Sequence, residues 1–217
     1  MKQLLILSLL LFSMGSSAQS HHIASIGAGI GSSDIYSVEL SEHYMFNPYI
    51  GLGGTIGFYK EWYNSRPGGE INSGKYNSWY MDEDDKEISK FFLEPQVVVN
   101  TPKLFSIGKS NFCMEADLGC IMQIPHEIVG INYINSITNL NDHKIVSHSG
   151  GKWAFWDTRV MLKADFRRIM VSLGYSLSNL DIYSTRRKLQ VEDTKLDFFY
   201  PKKQLNQMLF LRVGYKL

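Results

Sequence analysis

The chain has 217 residues, with 22 Lys plus Arg against 21 Asp plus Glu. So even a balance gives no electrostatic footprint for nucleic acid. Beyond the first 19 residues no segment approaches the roughly 18 consecutive apolar residues of a helical membrane span.

From Met1 to Gln19 the order is a basic Lys2, an apolar run from Leu4 to Phe12, and the small residues Ser13, Gly15, Ser16, Ser17 and Ala18. This predicts a cleaved secretory signal, because the apolar run is only half of the roughly 20 residues a spanning helix needs. The cut is expected after Ala18 or Gln19, and with no cysteine following it, no lipid-anchored amino terminus is expected. Residues 20–217 are then expected to form one domain of balanced charge.

Eight segments of that domain alternate with a period of two, the mark of strands with unlike faces. His22 to Gly31 sets Ala24, Ile26, Ala28 and Ile30 against Ser25, Gly27, Gly29 and Gly31. Ile35 to His43 places Tyr36, Val38 and Leu40 opposite Glu39 and its neighbours, and Tyr49 to Tyr59 places Ile50, Leu52, Ile56 and Phe58 opposite Gly51, Gly53 and Gly57. Lys90 to Asn100 continues the pattern, and Asn111 to Ile124 is the longest instance. Trp153 to Asp165 and Ile169 to Ser178 follow. The last segment alternates Leu209, Leu211, Val213, Tyr215 and Leu217 with Phe210, Arg212, Gly214 and Lys216.

Connections alternate too. Short turns are expected around Asn47-Pro48, Thr101 to Lys109 and Phe166 to Arg168, and long polar loops over Lys60 to Ser89, Pro125 to Lys152 and Asn179 to Gln204. The short Ser32 to Asp34 connection departs from that rule. An eight-stranded antiparallel up-and-down transmembrane β-barrel has this asymmetry, with short turns and both termini periplasmic and long loops extracellular. Aromatics near the strand ends suit two interfacial belts: Tyr44, Phe46, Tyr49, Phe105, Phe112 and Tyr215 at one end, and Tyr36, Phe58, Trp62, Phe91 and Trp156 at the other.

The second face decides between a membrane barrel and a soluble one. A water-facing exterior needs Lys, Glu and Thr, whereas here it is crowded with Gly and Ser, which suit the narrow inside of eight strands. The apolar face is expected to carry essentially no charge, since Arg or Lys at a bilayer midplane costs about 2–4 kcal/mol.

Inward charges are predicted as Glu39, Glu94, Glu115, Asp117 and Asp157 against Arg159, Lys163, Arg212 and Lys216. Strand direction puts Glu39, Glu94, Asp117, Arg159 and Arg212 in nearly one layer, and charges in so dry a space must pair. The expectation is a salt-bridged plug; a proton or ion path is its functional rival.

No catalytic, metal or cofactor site is predicted. His126, His143 and His148, with Ser147 and Ser149 nearby, show no triad spacing, and the adjacent His21 and His22 make a poor metal site. The acidic run Asp82, Glu83, Asp84 and Asp85 has the oxygen chemistry of a hard-cation site but not the spacing of a calcium loop. Cys113 and Cys120 are seven apart on one strand, hence on opposite faces and roughly 23 Å apart, beyond the roughly 7 Å a disulfide spans.

The leader, the Gly-alternating first hairpin, Asn47-Pro48-Tyr49-Ile50-Gly51-Leu52-Gly53 and the ending Arg212-Val213-Gly214-Tyr215-Lys216-Leu217 resemble the small OmpA-like or porin-family outer-membrane β-barrel domains of Gram-negative bacteria. The resemblance implies an outer-membrane location, with outer-membrane lipid, lipopolysaccharide and the barrel-insertion machinery as partners, and a monomer. Two departures stand out: Leu217 replaces the terminal Phe or Trp of many such proteins, and no peptidoglycan-binding domain is expected after the barrel. The expected function is envelope integrity or surface interaction without enzymatic activity, the alternatives being a narrow pore and a lipid-modifying enzyme.

Overall fold

A strand that is apolar on one side only must cover its polar ladder with neighbours and keep its two faces in different surroundings. The computed structural model describes residues 22–32, 34–62, 67–71, 74–85, 87–202 and 205–217; the predicted signal segment and His21 lie outside them. Along the chain the strands are β1 (His22–Gly31), β2 (Ile35–Met45), β3 (Ile50–Glu61), β4 (Gly68–Glu70), β5 (Tyr76–Met81), β6 (Ser89–Asn100), β7 (Phe105–Ile107) and β8 (Ser110–Met122). They continue as β9 (His126–Asn135), β10 (Asn141–Ser149), β11 (Ala154–Phe166), β12 (Ile169–Ser178), β13 (Gln190–Val191), β14 (Thr194–Lys195) and β15 (Asn206–Lys216).

The eight long period-two segments form one antiparallel ring in the order β1-β2-β3-β6-β8-β11-β12-β15, closed by β15 against β1. Boundaries follow the partner strand. The fifth expected strand stops at Met122 and not at Ile124, because Met122 faces Ala154, where β11 begins.

Side chains of the apolar series point out of the ring. Leu40 and Ile56 are each 63% exposed and Leu118 is 52% exposed, so the outer wall is a continuous apolar belt far larger than a soluble surface carries. Rings mark both edges: Tyr44 with Phe46 and Phe105 with Phe112 at the short-turn end, Tyr36 with Trp62 and Phe58 with Phe91 at the other. The belt is a transmembrane one. The sequence predicts essentially no charge on this face, but Glu42 and Lys60 point outward; each sits near a strand end and is paired, with His22 at 2.9 Å and Glu87 at 2.5 Å respectively.

The inward series fills the ring. Its glycines supply room for large neighbours: a Cβ on Gly27 would strike the Phe210 ring, one on Gly57 the Phe92 ring, and one on Gly119 the Glu94 carboxylate.

The stretches expected as long polar loops are built. The first and second supply a four-stranded sheet in the order β10-β9-β5-β4, and the third forms the β13-β14 ribbon between two 3-10 turns, Arg186–Lys188 and Leu196–Phe198. Together they cap one mouth. Trp79, Met81, Val129, Ile131, Tyr133, Ile182, Val191, Leu196 and Tyr200 share one buried cluster with the mouth residues Ile35, Tyr59, Phe92, Ile121 and Phe155. At about 1.5–3 kcal/mol for each large side chain fully buried, this second core supports a fixed cap.

Glycine packing yields a direct test. A Cβ on Gly174 would meet the Val160 backbone carbonyl, whereas one on outward-facing Gly54 meets nothing within 4 Å. Gly174→Ala is expected to lower stability by about 1–3 kcal/mol, and Gly54→Ala to stay within about 0.5 kcal/mol. Urea unfolding of the vesicle-inserted protein, followed by tryptophan fluorescence, measures both.

Candidate functional site

Parity alone sends alternate residues of β2, β6, β8, β11 and β15 into the lumen. There Glu39, Glu94, Glu115, Asp117, Asp157, Arg159, Lys163 and Arg212 are each 5% exposed or less. Arg159 is the hub. Its Nη1 donates to Glu39 Oε1 at 2.6 Å, its Nε to Asp157 Oδ2 at 2.6 Å, and its Nη2 to Glu94 Oε2. Arg212 Nη1 donates to Asp117 Oδ2 at 2.8 Å and Glu115 Oε1 at 3.1 Å, while its Nη2 lies 3.6 Å from Glu39. Lys163 Nζ donates to Glu115 Oε2 at 2.5 Å and to Asn100 Oδ1 at 2.8 Å.

Glu39 and Glu115 therefore bridge neighbouring cations. The Phe210 ring lies against both guanidinium groups, its centroid 4.9 Å from Arg159 and 5.5 Å from Arg212. Its ring face attracts both cations. Beside this layer, the Gln96 amide lies 2.6 Å from His43 Nε2 and also bonds Thr55.

Lys216, predicted for the same network, does not join it. It sits four positions beyond Arg212 on β15, about 13 Å along a strand, and pairs with Asp165 near the short-turn mouth, where its side chain is one-third exposed. The cause is register: the central acids lie out of its reach.

Among the described residues, two spaces lie on opposite sides of the charged layer. A vestibule of about 380 Å³ opens at the short-turn end, with Lys163, Asn100, Asp165 and Lys216 in its wall. On the other side of the charged layer a gap of about 20 Å³ lies among Glu39, Asp157, Arg159, Tyr59, Phe92 and Phe210, enough for one water. The Arg159 and Arg212 network separates them.

Above that gap the cap is tied by a second buried network. Arg186 donates through Nε and Nη2 to Glu127 Oε1, at 2.9 and 2.6 Å, and through Nη1 to the Asp85 carbonyl at 2.7 Å. Glu127 also holds Lys90 of the barrel wall at 2.9 Å. One guanidinium thus joins all three long connections to the mouth. Burial opposes its charge, yet Glu127 and Tyr200 outweigh that and raise its pKa above the ordinary arginine value. Tyr183 donates to Glu61 Oε1 at 2.5 Å; burial first, then the adjoining Glu61, push its phenol above the ordinary tyrosine range.

The remaining candidates are scattered. His126 Nδ1 is 2.6 Å from Ser149 Oγ, across the β9-β10 hairpin, but among the described residues no carboxylate pairs with that ring. His143 lies 3.3 Å from Asp82, and Asp85 accepts from the Gly130 amide at 2.5 Å, so two of the acidic run serve the cap. Cys113 and Cys120 are unbonded. Among the described residues no group of three or more His, Cys, Asp or Glu is placed to hold a metal.

Sequence reasoning missed Asp165, Arg186, Glu127 and the Glu61–Tyr183 pair. Asp165 follows Lys163 at the same inward parity, which was a usable signal. Arg186, inside Thr185-Arg186-Arg187-Lys188, looks like a solvated basic run and gave none.

Arg186→Ala leaves Glu127 in a buried site with only Lys90. Breaking a buried pair costs about 3–5 kcal/mol, so amide exchange of β5 and β9 should rise about a hundredfold or more while the β1-β15 ladder keeps its protection. Hydrogen-exchange mass spectrometry in detergent micelles checks this.

No protein-family model matches the chain, and no curated protein matches it. Among solved structures it is similar to Neisserial surface protein A, at 9% identity and a TM-score of 0.43 over 92% of this chain and 98% of that one. It is also similar to the N-terminal β-barrel domain of Pseudomonas aeruginosa OprF, at 10% identity and a TM-score of 0.40 over 90% and 97% of the two chains. The outer membrane enzyme PagL is a third, at 10% identity and a TM-score of 0.37 over 90% and 99%. These are likenesses of fold. Eight antiparallel strands closed into one ring, apolar outside and packed with side chains within, give the chain the architecture of a small transmembrane β-barrel.

Proposed function

We propose that the protein is an integral outer-membrane barrel with a non-conducting lumen and no enzymatic activity, acting in envelope integrity or surface interaction through the platform its three long connections build. The observation that carries this reading is the Arg159 hub, which holds three carboxylates across the lumen beneath a packed cap. An ion crossing there would have to break several buried charge-assisted bonds, each strong in a low dielectric.

The even number of strands puts both ends of the barrel on the short-turn side, which an exported chain leaves in the periplasm. The cap then faces outward. Its sheet and ribbon give a fixed surface, as recognition by loops on a rigid scaffold requires. Against a hydrolase or acyltransferase stands the His126–Ser149 contact, which among the described residues has no carboxylate to orient the base.

A narrow pore is the second reading, favoured by the vestibule, which brings solvent as far as Lys163. Planar-bilayer recording separates the two. The protein is expected to insert without steady current, and Arg159→Ala, which strands Glu94 and Asp157 and leaves Glu39 with Arg212 alone, to lose about 3–5 kcal/mol of stability and still not conduct. Large steady channels from either form would overturn the non-conducting reading, as turnover of labelled lipopolysaccharide would overturn the non-enzymatic one.

A further inference from the structure

The rim at the short-turn end is basic over one arc. The connection between β6 and β8 carries Lys103 and Lys109, and the turn between β11 and β12 is Arg167-Arg168. These two turns are neighbours, because β8 pairs with β11 and Asn111 stands opposite Asp165. All four side chains are exposed.

Their charges are uncompensated. Among the described residues Lys103, Lys109 and Arg167 have no ion-pair partner, and Arg168 donates only to the Tyr215 hydroxyl, at 3.3 Å. Of the acids at this end, Asp165 holds Lys216 and Glu42 lies 2.9 Å from His22 Nδ1.

Beside the charges lie apolar side chains. Phe105, Ile107 and Phe166 are 45%, 66% and 47% exposed, and the Phe105 ring stacks on Phe112 at 4.7 Å. This strip continues the outer belt, so the arc offers cations immediately beyond a surface that is already suited to hydrocarbon. A soluble anion has no use for the strip. An acidic polypeptide would leave it uncovered. A molecule with a phosphate head and acyl tails satisfies both parts at once.

We propose that this arc binds the headgroups of anionic phospholipids in the leaflet next to the short turns, with Lys103, Lys109, Arg167 and Arg168 on the phosphates and Phe105, Ile107 and Phe166 on the upper acyl chains. The proposal rests on the membrane reading above and adds to it a leaflet-specific lipid preference. Each basic side chain near an anionic surface is worth about fivefold in partition. Screening within about 10 Å at 0.1 M salt limits the effect to headgroups in the first shell.

The test uses the full chain in nanodiscs of phosphatidylcholine doped with phosphatidylglycerol, and native mass spectrometry to count the lipids retained on release. The protein should retain phosphatidylglycerol well above its bulk share. Lys103→Gln, Lys109→Gln, Arg167→Asn and Arg168→Gln should each lower that preference by about fivefold at low salt, and the four together should bring retention to the bulk ratio. Asn is used at 167 because its φ of 63° lies in the left-handed region that Asn tolerates. Lys75→Gln, at the opposite end, should change nothing.

Retention at the bulk ratio by the unaltered protein, or an undiminished preference in the fourfold variant, would overturn the proposal. Preference for lipid A over phosphatidylglycerol would also overturn it, as would capture of an acidic polypeptide without any lipid preference. Insertion is scored separately by the mobility shift between unheated and heated protein. Failure to insert would sink the membrane reading and this proposal with it, whereas insertion without preference sinks the arc alone.

Discussion

A ring of eight strands has an inside too narrow for bulk water and too polar to be left unpaired, and the rest of the molecule is arranged around that constraint. Arg159 meets it by holding Glu39, Glu94 and Asp157 at once. The five acids outnumber Arg159, Lys163 and Arg212, so single carboxylates must bridge and single cations must fork. Phe210 packs against both guanidinium groups, and a Cβ on Gly27 or Gly29 of β1 would strike its ring.

The outside follows from the same alternation read the other way. Once charge and bulk are committed inward, the opposite positions carry Leu, Ile, Val and aromatic side chains, and the two exceptions, Glu42 and Lys60, stand near strand ends where headgroups and water reach. Depth decides what is tolerated. The same residues at the middle of the belt would each cost about 2–4 kcal/mol for a base and less for an acid.

How much was legible in the sequence depends on the length of each run. For strands of ten residues or more, parity fixes which side chains meet, so the Arg159 and Arg212 network could be assembled from residue numbers. Lys216 shows the limit: parity gives the face but not the height, and height placed it with Asp165 at the mouth. The cap was out of reach for a different reason. β4 has three residues and β13 and β14 two each, too short for a period to show, although the alternating Val129, Ile131 and Tyr133 of β9 could have been noticed. Arg186, whose burial depends on three connections meeting, left no local trace.

The cap also has an implication for the order of assembly. Its ties join residues far apart in the chain, Glu61 with Tyr183 and Met81 with Tyr200, and each link needs the ring beneath to have brought β3, β6, β8 and β11 side by side. Trp79, Ile131 and Leu196 therefore have no partners to hide against until the ring is in place. The wall must seal first and the roof afterwards, so a chain stalled between those stages would present a sticky, aromatic-rich fringe at that mouth of the ring.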